Sequence, residues 1–527
     1  MKRRSDEAPA WDSGASAHLL SRAGFGGTPE DVARFAAMPL HEAVARLLDE
    51  ASAADPPVAP DWIKDPWINT ERRFADTPRE RAAEAHRTTR RRYAVELNDL
   101  RCWWLGHMIA APHPLREVLT LFWHGHFATA TDKVMISQAI YQQNATLRRN
   151  ALGCFRTLLR EVAVDPAMMM YLDLEGSDKL KANENFAREL FELFTMGIGN
   201  YTEPDVKATA RALTGWTLDA PRGTPMTRRS APDTPRDFAR DGIVATFLPD
   251  QHDPEVKTIL GESGHFELDD VIAIVSRQRS TARLISGKLV DFFGAADPDG
   301  TLRERMATAF EETRGEISEV LRVLFTSPEF YSEASRGSQI KSPIRLLVGA
   351  CRQLKLEVTV TPSLAQLTAA MGQELFNPPN VKGWPGGKTW IGAGTLAVRY
   401  HLPEALLEGK LPEGLEPLGF SRFLAISRDT TQGPAMMARL ESSMAERRAE
   451  REKDGLKCRF RAETLFPGGN PSEPAGLVDD LLLRLVVTKV RPSARQALIT
   501  ACVDTAPAER PALVVRLILA SPEYQLA

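Results

Sequence analysis

The stretch His113-Pro-Leu-Arg-Glu-Val-Leu-Thr-Leu-Phe-Trp-His-Gly-His-Phe-Ala-Thr129 decides how this chain is read. It is a proline-led apolar run, and it opens the region 114–218, where one helix signal follows another. The same run carries Arg116, Glu117, Trp123, His124 and His126. Two histidines one residue apart beside a tryptophan are costly to bury unless they are hydrogen-bonded or ligated. The stretch therefore predicts a helical fold and marks a candidate site together.

Working outward, the helix starts are written in capping residues. Thr28-Pro29-Glu30-Asp31 and Thr202-Glu203-Pro204-Asp205 each place a hydroxyl cap, a proline and acids in a first turn. Thr77-Pro78-Arg79-Glu80 adds a capping-box glutamate and opens a long helix to about residue 110. Residues 183–196 read as one helix stopped by Gly197-Ile-Gly199. Helices resume over 268–331, 343–373 and from 395 onward, including a strongly charged one near 436–453. The proline-rich 51–66 reads as a connection. Residues 219–241, rich in Pro, Arg and Asp, read as a long mobile insertion. A short hairpin within 242–266 is the only sheet expected. The fold class is mainly α: a large multi-helix domain with at most that hairpin, plus a smaller C-terminal helical module. The boundaries read as a flexible N-terminus (1–16), a helical core (17–403) and the C-terminal module (404–527). One helical unit occurs twice, as Val320-Leu-Arg-Val-Leu-Phe-Thr-Ser-Pro-Glu-Phe330 and Val514-Val-Arg-Leu-Ile-Leu-Ala-Ser-Pro-Glu-Tyr524.

Composition narrows the function classes. Of 527 residues, 43% are apolar and 26% charged, as in a soluble globular protein. With 66 basic and 69 acidic residues the net charge is −3, which gives no pull toward nucleic acid or an anionic membrane. No apolar run reaches the length of a membrane span. Basic residues at the N-terminus are followed by no apolar segment, so no signal peptide is expected and the cytoplasm is the expected location. Five scattered cysteines without a CxxC make neither a disulfide framework nor a cysteine metal site.

Three clusters carry chemistry. In His124-Gly-His126 both imidazoles could hold one metal ion if the backbone is extended there. On a helix they diverge by about 200°, and the pair is then a packed helix end. Asn183-Glu-Asn-Phe-Ala-Arg-Glu-Leu-Phe-Glu192 places Asn185, Glu189 and Glu192 on one helical face, with Glu184 and Arg188 as an i,i+4 pair. Aromatic neighbours should raise those carboxyls. They also lead to the expectation that Arg188 is a buried, paired cation. The other reading is a network in which Arg188 and Arg211 tie helices together. Gln251-His-Asp-Pro254 is either a ligand or acid–base pair or an Asx turn. Asn377-Pro-Pro-Asn-Val-Lys-Gly-Trp-Pro-Gly-Gly-Lys-Thr-Trp390, with three prolines, three glycines and two tryptophans, must be held by its side chains and is expected to roof the site. Nucleotide-loop, serine-hydrolase and HExxH signatures are absent.

Several segments together resemble a widespread bacterial family, domain of unknown function 1800. They are His18-Leu-Leu-Ser-Arg-Ala-Gly-Phe-Gly26, Leu121-Phe-Trp-His-Gly-His-Phe-Ala-Thr129, Asn183-Glu-Asn-Phe-Ala-Arg-Glu-Leu190, Ala212-Leu-Thr-Gly-Trp216, Ser327-Pro-Glu-Phe330 and Met371-Gly-Gln-Glu-Leu-Phe-Asn-Pro-Pro-Asn-Val-Lys-Gly-Trp-Pro-Gly-Gly387. The resemblance spans about 17–403. It implies no established activity. It implies that members are often exported, and often encoded beside a protein similar to the sulfatase/alkaline-phosphatase superfamily.

Two functions follow as expectations. One is a metal-assisted, hydrolase-like enzyme, with His124, His126 and His252 around a divalent ion and Glu189, Glu192 and Asp253 as catalytic carboxylates. The other is a non-catalytic scaffold or partner for the phosphatase/sulfatase-superfamily-like protein. An open cavity joining these residues would favour the first, and burial in complete ion-pair networks the second.

Overall fold

The computed structural model describes residues 10–65, 79–218, 242–410, 456–471 and 473–527. The expected insertion 219–241, the charged helix near 436–453 and the cap at Thr77 lie outside the described residues. The fold is mainly α: among the described residues there are 21 α-helices and only two-stranded sheets. None of the described helices is long and apolar enough to cross a membrane. All five cysteines are unpaired.

The caps act as written. Asp31 N–H donates to Thr28 Oγ1 and Thr28 N–H to Asp31 Oδ2, each at 3.2 Å, opening the helix Pro29–Ala36. The box at Thr202 and Asp205 opens Glu203–Ala212 in the same way. The duplicated unit also has one structural device. After Ile317–Phe325, Ser327 Oγ donates to Leu324 O and accepts from Phe330 N–H. After Arg510–Ala520, Ser521 Oγ and Tyr524 N–H repeat both bonds, 2.7 and 3.3 Å long. The rings of Phe330 and Tyr524 are buried.

The strands differ from expectation in number. The expected hairpin is β3–β4, Lys257–Ile259 against Glu262–Gly264. Two further antiparallel pairs are β1–β2 (Trp216–Leu218 with Ala245–Phe247) and β5–β6 (Glu357–Thr359 with Lys457–Arg459). Each is three residues long, too short for alternation to show in the sequence. The β5–β6 pair joins segments on either side of the anticipated boundary at 403, and the helix Ala393–Glu408 runs through that boundary with Pro403 inside it. Ala527 N–H donates to Gln339 O at 2.9 Å, returning the last residues to the core.

The helices are wired to one another by arginines. The last carbonyls of a helix have no partner within it and carry the negative end of its dipole. Among the described residues, several such ends accept a guanidinium from elsewhere. Arg22 reaches Phe293 O at 2.9 Å at the end of Arg279–Phe293. Arg345 reaches Ser21 O and Arg22 O at the end of Ser13–Ala23. Arg352 reaches Met108, Ile109 and Ala111 carbonyls at the end of Arg79–Ala110. Arg116 reaches Ser52 O and Ala54 O at the end of Leu40–Ala53, and Arg484 reaches Gln353 O at the end of Pro343–Gln353. Among the described residues no Asp or Glu pairs with Arg22 or Arg345, and these carbonyls take their place; Arg22 also donates to Ser335 O at 2.6 Å and to Ala527 O at 2.5 Å. Burial pulls Arg22 down to about 9 and Arg345 to about 10.

Candidate functional site

The helix Leu115–His126 includes the whole His-Gly-His element. Both histidines are buried, and helical spacing sends them to opposite sides. His124 Nε2 accepts the backbone N–H of Phe376 at 3.1 Å, and its ring packs on Trp104, Phe376 and Trp384. Phe376 has φ +64°, an uncommon conformation for a phenylalanine, and the imidazole satisfies the amide turned inward there. Burial pushes the His124 imidazole down to about 3, so it is neutral at pH 7.

His126 faces the end of the next element. Sequence spacing predicts one α-helix over 183–196. Instead the α-helix Glu184–Glu189 passes into a π-turn over Leu190–Thr195, where Met196 N–H donates to Phe191 O. The carbonyls of Leu193 and Phe194 at its end are taken from outside. Lys288 Nζ donates to Leu193 O at 2.8 Å and to His126 Nδ1 at 3.0 Å. His126 Nε2 lies 3.1 Å from Phe194 O, so this nitrogen carries the proton and donates. Burial and then the Lys288 charge hold His126 well below the usual histidine range. Burial brings Lys288 down to about 8.

The Pro/Trp loop does lie across this helix end. Gly383, at φ +78°, sits so close to Gly125 that an added Cβ would fall 2.2 Å from the Gly125 carbonyl oxygen. Only glycine fits that approach. Lys382 reaches the π-turn, its Nζ 3.8 Å from Glu192, whose other oxygen accepts from the Tyr201 hydroxyl at 3.5 Å. Glu189 is half-buried. Desolvation and then the neighbouring Glu192 raise its carboxyl.

His252 and Asp253 belong to another joint. His252 Nδ1 is 3.1 Å from Thr214 O. Asp253 takes a bidentate pair from Arg211 at 2.6 and 3.1 Å and accepts Glu255 N–H in an Asx turn. The Arg211 hydrogen bond holds the Asp253 carboxyl below its ordinary range. Arg188 pairs with Glu203 at 2.6 Å and with Glu184 at 3.4 Å, and its side chain is 36% exposed. The expectation of a buried Arg188 is thus corrected: its partners lie on the outer faces of two helices. Arg188→Ala should cost no more than about 1 kcal/mol, as for other exposed pairs. A loss several times larger in chemical denaturation would contradict this.

The structure places His124 and His126 on opposite sides of one helix end, sets Gly383 against Gly125 and Lys382 beside Glu192, and joins His252 and Asp253 to Arg211 and Thr214. Among the described residues no three His, Cys, Asp or Glu side chains converge in a way that could hold a metal ion. Two buried centres were not among the candidate sites, although Glu117 is marked in its apolar run. Glu117 accepts Arg148 at 2.7 and 2.9 Å and Trp104 Nε1 at 2.7 Å, with His107 at 3.2 Å. Asp165 caps Pro166–Tyr171 and accepts Gln143 Nε2 at 3.2 Å, while its Oδ2 and both amide atoms of Asn144 are buried without partners. Burial raises Asp165 to about 7. Asp165-Pro166 was legible only as a helix start, and Lys288 left no sequence signal.

The chain belongs to the family described as protein of unknown function (DUF1800), whose family model matches residues 18–526. The match extends past 403, so the C-terminal helices are part of the family unit. No curated protein and no solved structure matches the chain.

Proposed function

We propose that this chain is a non-catalytic scaffold or partner protein in which the His and carboxylate clusters are structural joints. The observation that carries the reading is the use made of the two central imidazoles. His124 accepts a backbone amide, and His126 bridges Lys288 and a backbone carbonyl, both in fully desolvated surroundings. A metal ligand needs a free ring nitrogen facing the ion, and at His126 both nitrogens are engaged. Asp253 is likewise closed by Arg211. The partner class, taken from the family resemblance, is a phosphatase/sulfatase-superfamily-like protein.

Elemental analysis is the test. Protein purified gently and exposed to zinc, manganese or iron should carry far less than one ion per chain. His124→Ala with His126→Ala should lower the melting temperature without changing metal content. A near-stoichiometric ion lost from the double variant would overturn the reading. One observation favours the enzyme reading instead: the raised Glu189 carboxyl beside Glu192 and Lys382, half open at the π-turn. It predicts a hydrolytic activity removed by Glu189→Gln at unchanged stability.

A further inference from the structure

We propose that an apolar cavity at the C-terminal face binds a small amphiphilic carboxylate, with the acyl chain in the cavity and the head group at Arg399. The cavity is about 370 Å³ and lies between the helices Ala393–Glu408 and Arg510–Ala520. That is within the size range of small-molecule sites. Ile391, Leu396, Tyr400 and Leu526 supply apolar walls, and Arg399 and Gln525 supply the polar corner.

Arg399 is the informative residue. Its side chain is 1% exposed. One Nη donates to Gln525 Oε1 at 3.0 Å, the other to Lys341 O at 2.9 Å, and Nε is buried with no acceptor. No carboxylate pairs with it among the described residues, and burial alone lowers it, to about 10. Unlike the arginines that cap helix ends, its carbonyl partner precedes a helix, where no dipole offsets the charge. A buried guanidinium without a counter-charge favours an anionic group. The rim favours an apolar body: Leu396 is 48% exposed and Tyr400 64%. A free carboxylate on an acyl chain meets both demands, and neither acetate nor an uncharged alkane meets more than one.

The test is calorimetry of the full chain with three probes: decanoate, decyltrimethylammonium with a tail of the same length and the opposite charge, and acetate. Decanoate should bind once per chain, decyltrimethylammonium about tenfold more weakly or less, and acetate not at all. Arg399→Gln should weaken decanoate about tenfold. Because Arg399 is buried, Leu396→Asp at the exposed rim is the second variant. It should abolish decanoate binding at an unchanged melting temperature. Equal binding of both amphiphiles, absence of decanoate binding, or full binding by a folded Leu396→Asp would each overturn the proposal.

Discussion

Glu117→Ala should lower the stability of the fold by about 3–5 kcal/mol, the usual cost of leaving a buried charge without its partner. Glu117 is 1% exposed and Arg148 3%. Their bidentate pair joins the helices Leu115–His126 and Ser137–Arg149, and Trp104 adds a bond from Arg79–Ala110. Without the carboxylate, Arg148 keeps only its position over the rings of Trp103 and Trp104, 5.2 and 5.9 Å from their centroids. Replacing both partners, as Glu117→Ala with Arg148→Met, should recover part of the loss, because no charge is then stranded. The pair also has a pH signature. Arg148, with help from His107, overcomes burial and holds Glu117 at about 2, below its ordinary 4.5. Its contribution is therefore complete above pH 4.5 and is lost as pH falls toward 2, about 3 kcal/mol in all. Urea denaturation of the single and double variants checks the prediction. A single-variant loss under about 1 kcal/mol would show that the pair is incidental.

Acidification below pH 6.5 should destabilise the protein, with buried histidines as the cause. His18 and His124 are each lowered from 6.5 to about 3, and His126 well below 6.5. Burial is the largest cause in each, and Arg22 adds to it at His18. Since the folded values lie below the unfolded one, stability is complete above pH 6.5 and falls as pH drops through that value toward 3. His18 and His124 then each lose about 1.4 kcal/mol per pH unit. Asp165 works in the opposite direction. Its carboxyl is raised from 3.8 to about 7, so it gains stability over the same interval and offsets about one histidine. His18 and His124, less the opposing Asp165, give about one proton taken up on unfolding, or roughly 3 kcal/mol lost between pH 6.5 and 4.5, and His126 acts in the same direction. That is a large part of the stability of a marginal domain. Circular dichroism with urea at stepped pH measures the slope, and His124→Gln should lower it by about one proton. A stability that stays flat over this range would refute the assignment of neutral, buried imidazoles.

These predictions rest on features of different legibility. The capping boxes at Thr28 and Thr202 and the paired Ser-Pro-Glu units were readable because their bonds close within three residues. The Pro/Trp loop was readable as a side-chain-held loop from its composition. The His124-Gly125-His126 element was readable as a place where something must satisfy two imidazoles, and on a helix the spacing forbids both from facing one ion. The π-turn at Leu190–Thr195 was not readable, since its extra residue per turn leaves the apolar spacing of 183–196 helical in appearance.

Read alone, the sequence determined the class of fold, its family and where its polar groups gather, because helix spacing, caps and turns are local properties of the chain. Only the tertiary structure decided what those groups do. Arg22 finds its carbonyl 271 residues away, Phe376 offers its amide to His124 across 252, and Lys288 meets His126 across 162. A side chain's charge state depends on how much water is removed and which partner arrives, and both are set by distance in space. The same imidazole could be a ligand in an open cleft, and here it is a neutral joint in a dry core.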